Sequence, residues 1–193
     1  MKFKATIFVE GVADMRFICD FVKKRFNYSL REHAEVQPII GKDSIGKFIP
    51  NFQQSSSEFT NLVVFDANGD IEKRRNELNQ KRDEFEIDFE EFLVPNNKDK
   101  GDLETLLENI IHQNTRPVLK CIDDFVKCLD IIPARPFQTP NQKSKIYLYA
   151  SLLTTNEEAK EKNRTYLNQE IWNLESVYLN PLFEFLQPHF INE

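Results

Sequence analysis

The sequence predicts an α/β domain: a mostly parallel four-stranded sheet flanked by helices, followed by a helical C-terminal extension. Three observations predict it. Short apolar runs rich in β-branched and aromatic residues, Thr6–Val9 and Leu62–Phe65 above all, read as strands buried on both faces. Helical sequence separates these runs, in the alternation of a doubly wound sheet. Beyond about residue 113 the strand signals give way to helical stretches joined by proline-rich segments.

In order, residues 3–10 read as the first strand and 12–26 as a helix, with Phe17, Ile18, Phe21 and Val22 on one face. The run from Val36 to Ile40 is the second strand, ending at Gly41, and a short helix is expected around 45–54, stopped by the Gln53 to Ser57 stretch. Leu62 to Phe65 is the third strand, the charged segment 70–86 a helix, and Phe89 to Val94 the fourth strand, ending at Pro95. Residues 102–113 and 117–130 read as helices joined at Thr115-Arg116-Pro117. The run from Ile131 to Gln142, with Pro133, Pro136 and Pro140, reads as a loop. Helical apolar spacing returns over 143–153 and 174–186, with Pro188 ending the last helix. The expected division is an α/β core over 1–113 and a helical extension over 114–193 packed on it, the two making one compact unit.

Composition bounds the function. The 193 residues are 40% hydrophobic and 29% charged, enough for a real core, and most of the 17 phenylalanines are expected there. No run approaches the length of a transmembrane helix, and the N-terminus lacks the apolar region of a signal peptide. Cys19, Cys121 and Cys128 are odd in number and lack CxxC spacing. They read as buried thiols rather than a redox pair, which places the chain in the cytoplasm. The net charge of −6 argues against indiscriminate nucleic-acid binding but leaves local basic clusters, Lys23-Lys24-Arg25 and Lys73-Arg74-Arg75, which read first as solvated helix faces.

Two acidic signatures close the two strongest strands. In Val9-Glu10-Gly11-x-x-Asp14, Glu10 stands at the mouth of the sheet and Gly11 lets the chain turn. Asp14, on the first helical turn, suits either the helix N-terminus or a metal. In Asp66-Ala67-Asn68-Gly69-Asp70 oxygen ligands recur at alternate positions, but an EF-hand needs glycine where Ile71 stands, and a strand precedes this loop. Ligands of parallel sheets bind at the carboxyl ends of strands, so Glu10 with Asp66, Asn68 and Asp70 can converge on one hard cation, Mg²⁺ or Mn²⁺ in its place.

Three further motifs are weaker. Gly41 to Lys47 fits the spacing of a P-loop, but Phe48 stands where a hydroxyl must hold Mg²⁺; Lys42 and Lys47 remain candidates for neutralising phosphate. The segment Pro95 to Glu104 opens a helix, with Asp102 as its cap, Glu104 in a capping or supporting role left open, and Lys98 and Lys100 beside the proposed site. His33, His112 and His189 lack zinc-ligand spacing, and no Ser or Cys lies in a nucleophile-elbow context.

With Glu10 ending the first strand and Asp66-Ala67-Asn68 ending the third, the pattern resembles the TOPRIM fold, a Rossmann-like sheet shared by topoisomerases, bacterial primases, recombination-repair proteins and the OLD nucleases. It is closer still to a small bacterial group of TOPRIM-like proteins related to the OLD nucleases. The features shared with that group are Glu10/Asp14, Asp66/Asn68, Pro95-Asn96-Asn97 with Gly101 to Glu104, and the tail from Lys145 to Leu186. The resemblance implies Mg²⁺-dependent phosphodiester chemistry on DNA or RNA, as in a nuclease of bacterial defence or repair. Glu10 would act as acid/base, the acids Asp66, Asp70 and Asp14 with Asn68 would bind metal, and Lys98 or Lys100 would steady the charge on phosphate. Asn68 departs from the second Asp of the pattern. The chain also has no room for the ATPase that OLD nucleases carry. The alternative is therefore a catalytically degenerate binding or regulatory module that acts with a separately encoded partner such as an ATPase.

Overall fold

The computed structural model describes residues 2–39, 46, 49–52, 59–133 and 138–191. After a two-residue strand β1 (Lys2–Phe3), the chain enters β2 (Ala5–Val9), α1 (Val12–Phe26) and β3 (Val36–Pro38). Then come β4 (Thr60–Asp66), α2 (Ile71–Phe85) and β5 (Glu90–Val94). These four longer strands form one all-parallel sheet in the order β3-β2-β4-β5. The chain steps from β2 to one side and returns to the other, so the β2/β4 gap is the topological switch point where such sheets bind ligands.

Strand alternation explains why the runs are apolar throughout. Ile7, Val9, Leu62, Val64, Phe92 and Val94 face one core, shared with α1 and the C-terminal helices. Phe8, Val63, Phe65 and Leu93 face a second core against Leu78 of α2. Pro38 is tolerated because β3 is an edge strand, where a missing N–H costs no central ladder bond. Helix α2 carries little apolar surface, and only Arg74 and Leu78 of it are buried.

The rest of the chain is helical: α3 (Leu103–Asn109), α4 (Arg116–Asp130), α5 (Gln142–Leu153), α6 (Asn156–Ala159) and α7 (Asn180–Leu186). Its buried side chains Ile146, Tyr149, Tyr166 and Trp172 join the same cluster as Ile7 and Val9. Asp20 of α1 accepts from the Tyr166 amide at 2.7 Å, and Arg25 donates to the Leu174 carbonyl at 3.2 Å while lying over the Phe183 ring. The chain end returns as β6 (Phe190–Ile191), antiparallel to β1, a pairing too short to signal itself in sequence.

Several expectations change. The helix expected over 102–113 ends at Asn109, and Ile111 instead bridges Trp172. The helix expected over 174–186 begins only at Val177, as a 3₁₀ turn that leads into α7. Cys121 and Cys128 are exposed rather than buried, because α4 covers only its Leu119, Ile122 and Val126 face; Cys19 is half-buried. Of the helix expected around 45–54, residues 45, 47, 48, 53 and 54 lie outside the described residues, and Ile49–Asn51 form a single 3₁₀ turn. No helix is long and apolar enough to cross a membrane among the described residues.

Candidate functional site

Register brings the two acidic strand ends together. Val9 pairs with Val64 and Asp66 with Val94, so Glu10 and Asp66 leave the sheet side by side at the switch point. Glu10, Asp14, Asp66 and Glu104 line one cavity of about 930 Å³. Burial pushes the Asp66 carboxyl up to about 9, helped by the charges of Asp14, Glu10, Asp102 and Glu104. Burial and then Glu10 push Asp14 up to about 7, against the pull of hydrogen bonds to backbone at Asp14 and Gly11. Burial and Asp102 raise Glu104 as well. In all three, burial is the larger cause and the neighbouring carboxylates add to it.

Local structure accounts for each position. Gly11 is extended (φ −151°), so its freedom of turn is not what the site needs; a Cβ there would approach the Asp14 carboxylate to 3.2 Å. Asp14 therefore serves both readings at once, bonding the first turn of α1 and facing the cavity. Asp66 accepts from the Leu103 amide at 3.0 Å, which ties the start of α3 to the end of β4. A two-bond bridge between Asn68 and Gly101 makes the same connection one layer out.

Gly101 is held at φ +146°, and a Cβ there would meet Thr105 Oγ1 at 2.9 Å. Gly101→Ala is expected to destabilise the chain by about 1–3 kcal/mol, measured by urea unfolding. An unchanged midpoint would show that the bridge can shift at no cost. Asp102 caps α3, accepting from the Thr105 amide at 2.8 Å, as expected, whereas Glu104 faces the cavity.

Asn68 and Asp70 are placed differently from Asp66. Asn68 has φ 56°, a left-handed conformation that asparagine tolerates better than most residues, and its amide donates to the Asp66 carbonyl at 3.3 Å. Asp70 caps α2, accepting from the Lys73 amide at 3.0 Å. Both are exposed and line a second cavity of about 510 Å³, with Glu10 on the boundary between the two. Lys98 and Lys100 are exposed on the turn after β5 and line neither cavity. Lys42 and Lys47 lie outside the described residues.

Two groups enter the site that the sequence did not announce. Arg74, read as part of a solvated basic face, is 5% exposed. It pairs with Glu10 through Nη2 and with Glu77 through Nη1 at 3.3 Å. Its spacing was the available signal: Arg74 stands four residues before Leu78, the lone leucine of a charged helix, and so shares its face. The second group is a basic wall opposite the acids: Lys143 on α5, with Lys160 and Lys162 on the turn after α6. Lys143 pairs with Glu161 at 2.9 Å and lies within electrostatic reach of Glu104 and Asp14.

Among the described residues, no three His, Cys, Asp or Glu side chains stand close enough to hold a metal by themselves. Mg²⁺ sites are commonly built from only one or two carboxylates, with waters and substrate phosphate completing the shell. Residues 4–191 match the family described as "Protein of unknown function (DUF3226)". The chain belongs to the DUF3226 family. No curated protein and no solved structure matches it. In this DUF3226 chain the matched span takes in both cavities and every described candidate residue.

Proposed function

We propose that this chain is a Mg²⁺-dependent phosphodiester enzyme of TOPRIM type acting on nucleic acid, most simply a cytoplasmic nuclease of bacterial defence or repair. One observation carries the reading: four carboxylates from three separate segments meet in one cavity at the switch point of a parallel sheet. Asp66 and Asp14 would hold the ion, with Glu104 across the cavity. When bound, Mg²⁺ or Mn²⁺ supplies positive charge at the phosphate and a more acidic water.

The chain's own groups do the rest. Glu10, on the boundary of both cavities, takes or returns the proton, and its pairing with Arg74 holds the carboxylate aimed. Lys143 takes the part first assigned to Lys98 and Lys100, steadying charge that develops on the phosphate.

Asn68, and the spacing of the acids, no three of which among the described residues stand close enough to hold a metal, favour a second reading, a TOPRIM-like module that binds without cleaving and acts through a partner protein. Calorimetry of Mn²⁺ and Mg²⁺ on wild type and Asp66→Asn, with and without a short oligonucleotide, separates the two. Metal binding that needs the oligonucleotide and weakens in the variant supports the enzyme. No metal binding under any condition leaves only the module.

A further inference from the structure

We propose that the nucleic acid this cavity takes is single-stranded, one unpaired base stacking on Tyr147 while the adjoining phosphates lie along Lys160 and Lys162. The inference rests on the nucleic-acid reading above and deepens it. Tyr147 lines the cavity and is 41% exposed, although its helix neighbours Ile146, Tyr149 and Ala150 are buried. Lys143, Ser144 and Tyr147 stand at i, i+1 and i+4 on α5 and all line the cavity, so one face of the helix presents an ammonium, a hydroxyl and an aromatic ring in sequence. The Lys160 ammonium lies within electrostatic reach of the Tyr147 hydroxyl, which puts ring and cation on the same stretch of wall.

That wall is built rather than incidental. Behind it Arg164, 3% exposed, donates to the Ala159 carbonyl at 2.8 Å. The amides of Asn163 and Arg164 both bond the Lys160 carbonyl, which fixes the turn bearing Lys160 and Lys162. The Lys143–Glu161 pair then ties this turn to α5.

Two physical points select a single strand. An aromatic ring in a wall can stack only on a base whose face is free, and paired bases in a duplex have none to offer. A duplex binder spreads cations over two backbones, whereas this chain has net charge −6 and brings only Lys143, Lys160 and Lys162 to this cavity, Lys143 paired with Glu161 and Lys160 with the exposed Glu157 at 2.5 Å, a pair that a phosphate can replace. Glu10, Asp14 and Asp66 gather at the sheet end of the cavity, and Lys160 and Lys162 stand on the turn after α6 with Glu161 between them paired to Lys143, so a place for metal and a track for one backbone adjoin.

The test is fluorescence anisotropy on the Glu10→Gln chain in Mg²⁺, with labelled DNA and RNA strands of about 12 nucleotides and the same DNA as a duplex. Single strands are expected to bind at least about tenfold tighter than duplex; the DNA and RNA arms identify the sugar. Tyr147→Ala is expected to weaken strand binding about tenfold, and Tyr147→Phe to retain it. Log affinity against log salt is expected to fall with slope about −2, flattened by the Lys160→Gln/Lys162→Gln pair.

Duplex binding equal to strand binding, or no loss in Tyr147→Ala, overturns the inference. Tyr147-dependent strand binding without cleavage by the wild-type chain upholds it and removes the nuclease reading. Duplex cleavage indifferent to Tyr147→Ala does the reverse, and failure to bind any nucleic acid removes both.

Discussion

Replacing Asp66 with asparagine is expected to cut metal-dependent cleavage by a factor on the order of 10³ and, in the same protein, to raise its melting temperature in chelator at pH 8. The two effects have one cause. An aspartate in the unfolded chain ionises near 3.8, whereas folded Asp66 keeps its proton up to about 9. Between those pH values the folded chain binds more protons than the unfolded chain, so stability falls as pH rises. The contribution is fully present below about pH 4 and gone above about pH 9; Asp14, held up to about 7, steepens the lower half of the fall.

Asparagine keeps an oxygen for the Leu103 amide and carries no charge. At pH 8 the variant is therefore expected to melt several degrees above wild type, a gap that closes near pH 4. Mg²⁺ should raise the wild-type transition and leave the variant's alone. A variant less stable than wild type at pH 8, or one with the same pH slope, would show that Asp66 is not under electrostatic strain.

The parts of this site legible in sequence are those fixed by strand ends. Glu10 and Asp66 close runs that must be buried on both faces, and parallel order forces such ends onto one edge, so Val9-Glu10 and Phe65-Asp66 announced both strands and their meeting. Asn68 looked like a lost carboxylate. Its left-handed backbone shows a residue chosen for the turn, which spacing alone does not reveal.

Tyr147 and Lys160 were illegible for a different reason. Tyr147 reaches the cavity because α5 packs against α3 and α4, through contacts such as Gln142 to Glu108 at 3.1 Å and Lys145 to Asp123 at 2.6 Å, between residues more than twenty positions apart, and Lys160 because the turn after α6 is tied to α5 through Lys143 and Glu161. Sequence periodicity sees which face of a helix is buried; Tyr147 lies on the face that is not, and Lys160 lies past the end of a helix. Lys98 and Lys100 were placed beside the site by nearness along the chain to β5, and they stand exposed and line neither cavity.

Arg74→Met is expected to destabilise the chain by about 2–3 kcal/mol and to lower turnover in whatever fraction remains folded. Methionine fills much of the space and keeps the contact with the Phe65 ring, over which the guanidinium lies at 5.3 Å. What it removes is the partner of Glu10. Stripping one member from a buried ion pair costs about 3–5 kcal/mol, because the other charge stays behind unpaired. Glu10 is 24% exposed at its side chain and Glu77 is 40% exposed, so water recovers part of that loss and the lower figure applies.

Glu10→Gln in the Arg74→Met background should restore stability, with a coupling of about 1 kcal/mol or more in urea unfolding. Additive losses would mean that Arg74 acts by packing alone. Arg74→Lys should not substitute, since a single ammonium cannot span Glu10 and Glu77 as the two ends of the guanidinium do. Because Arg74 touches Glu10 rather than substrate, its loss should lower kcat and leave KM nearly unchanged. A loss confined to KM would move Arg74 from orienting the proton carrier to binding the nucleic acid itself.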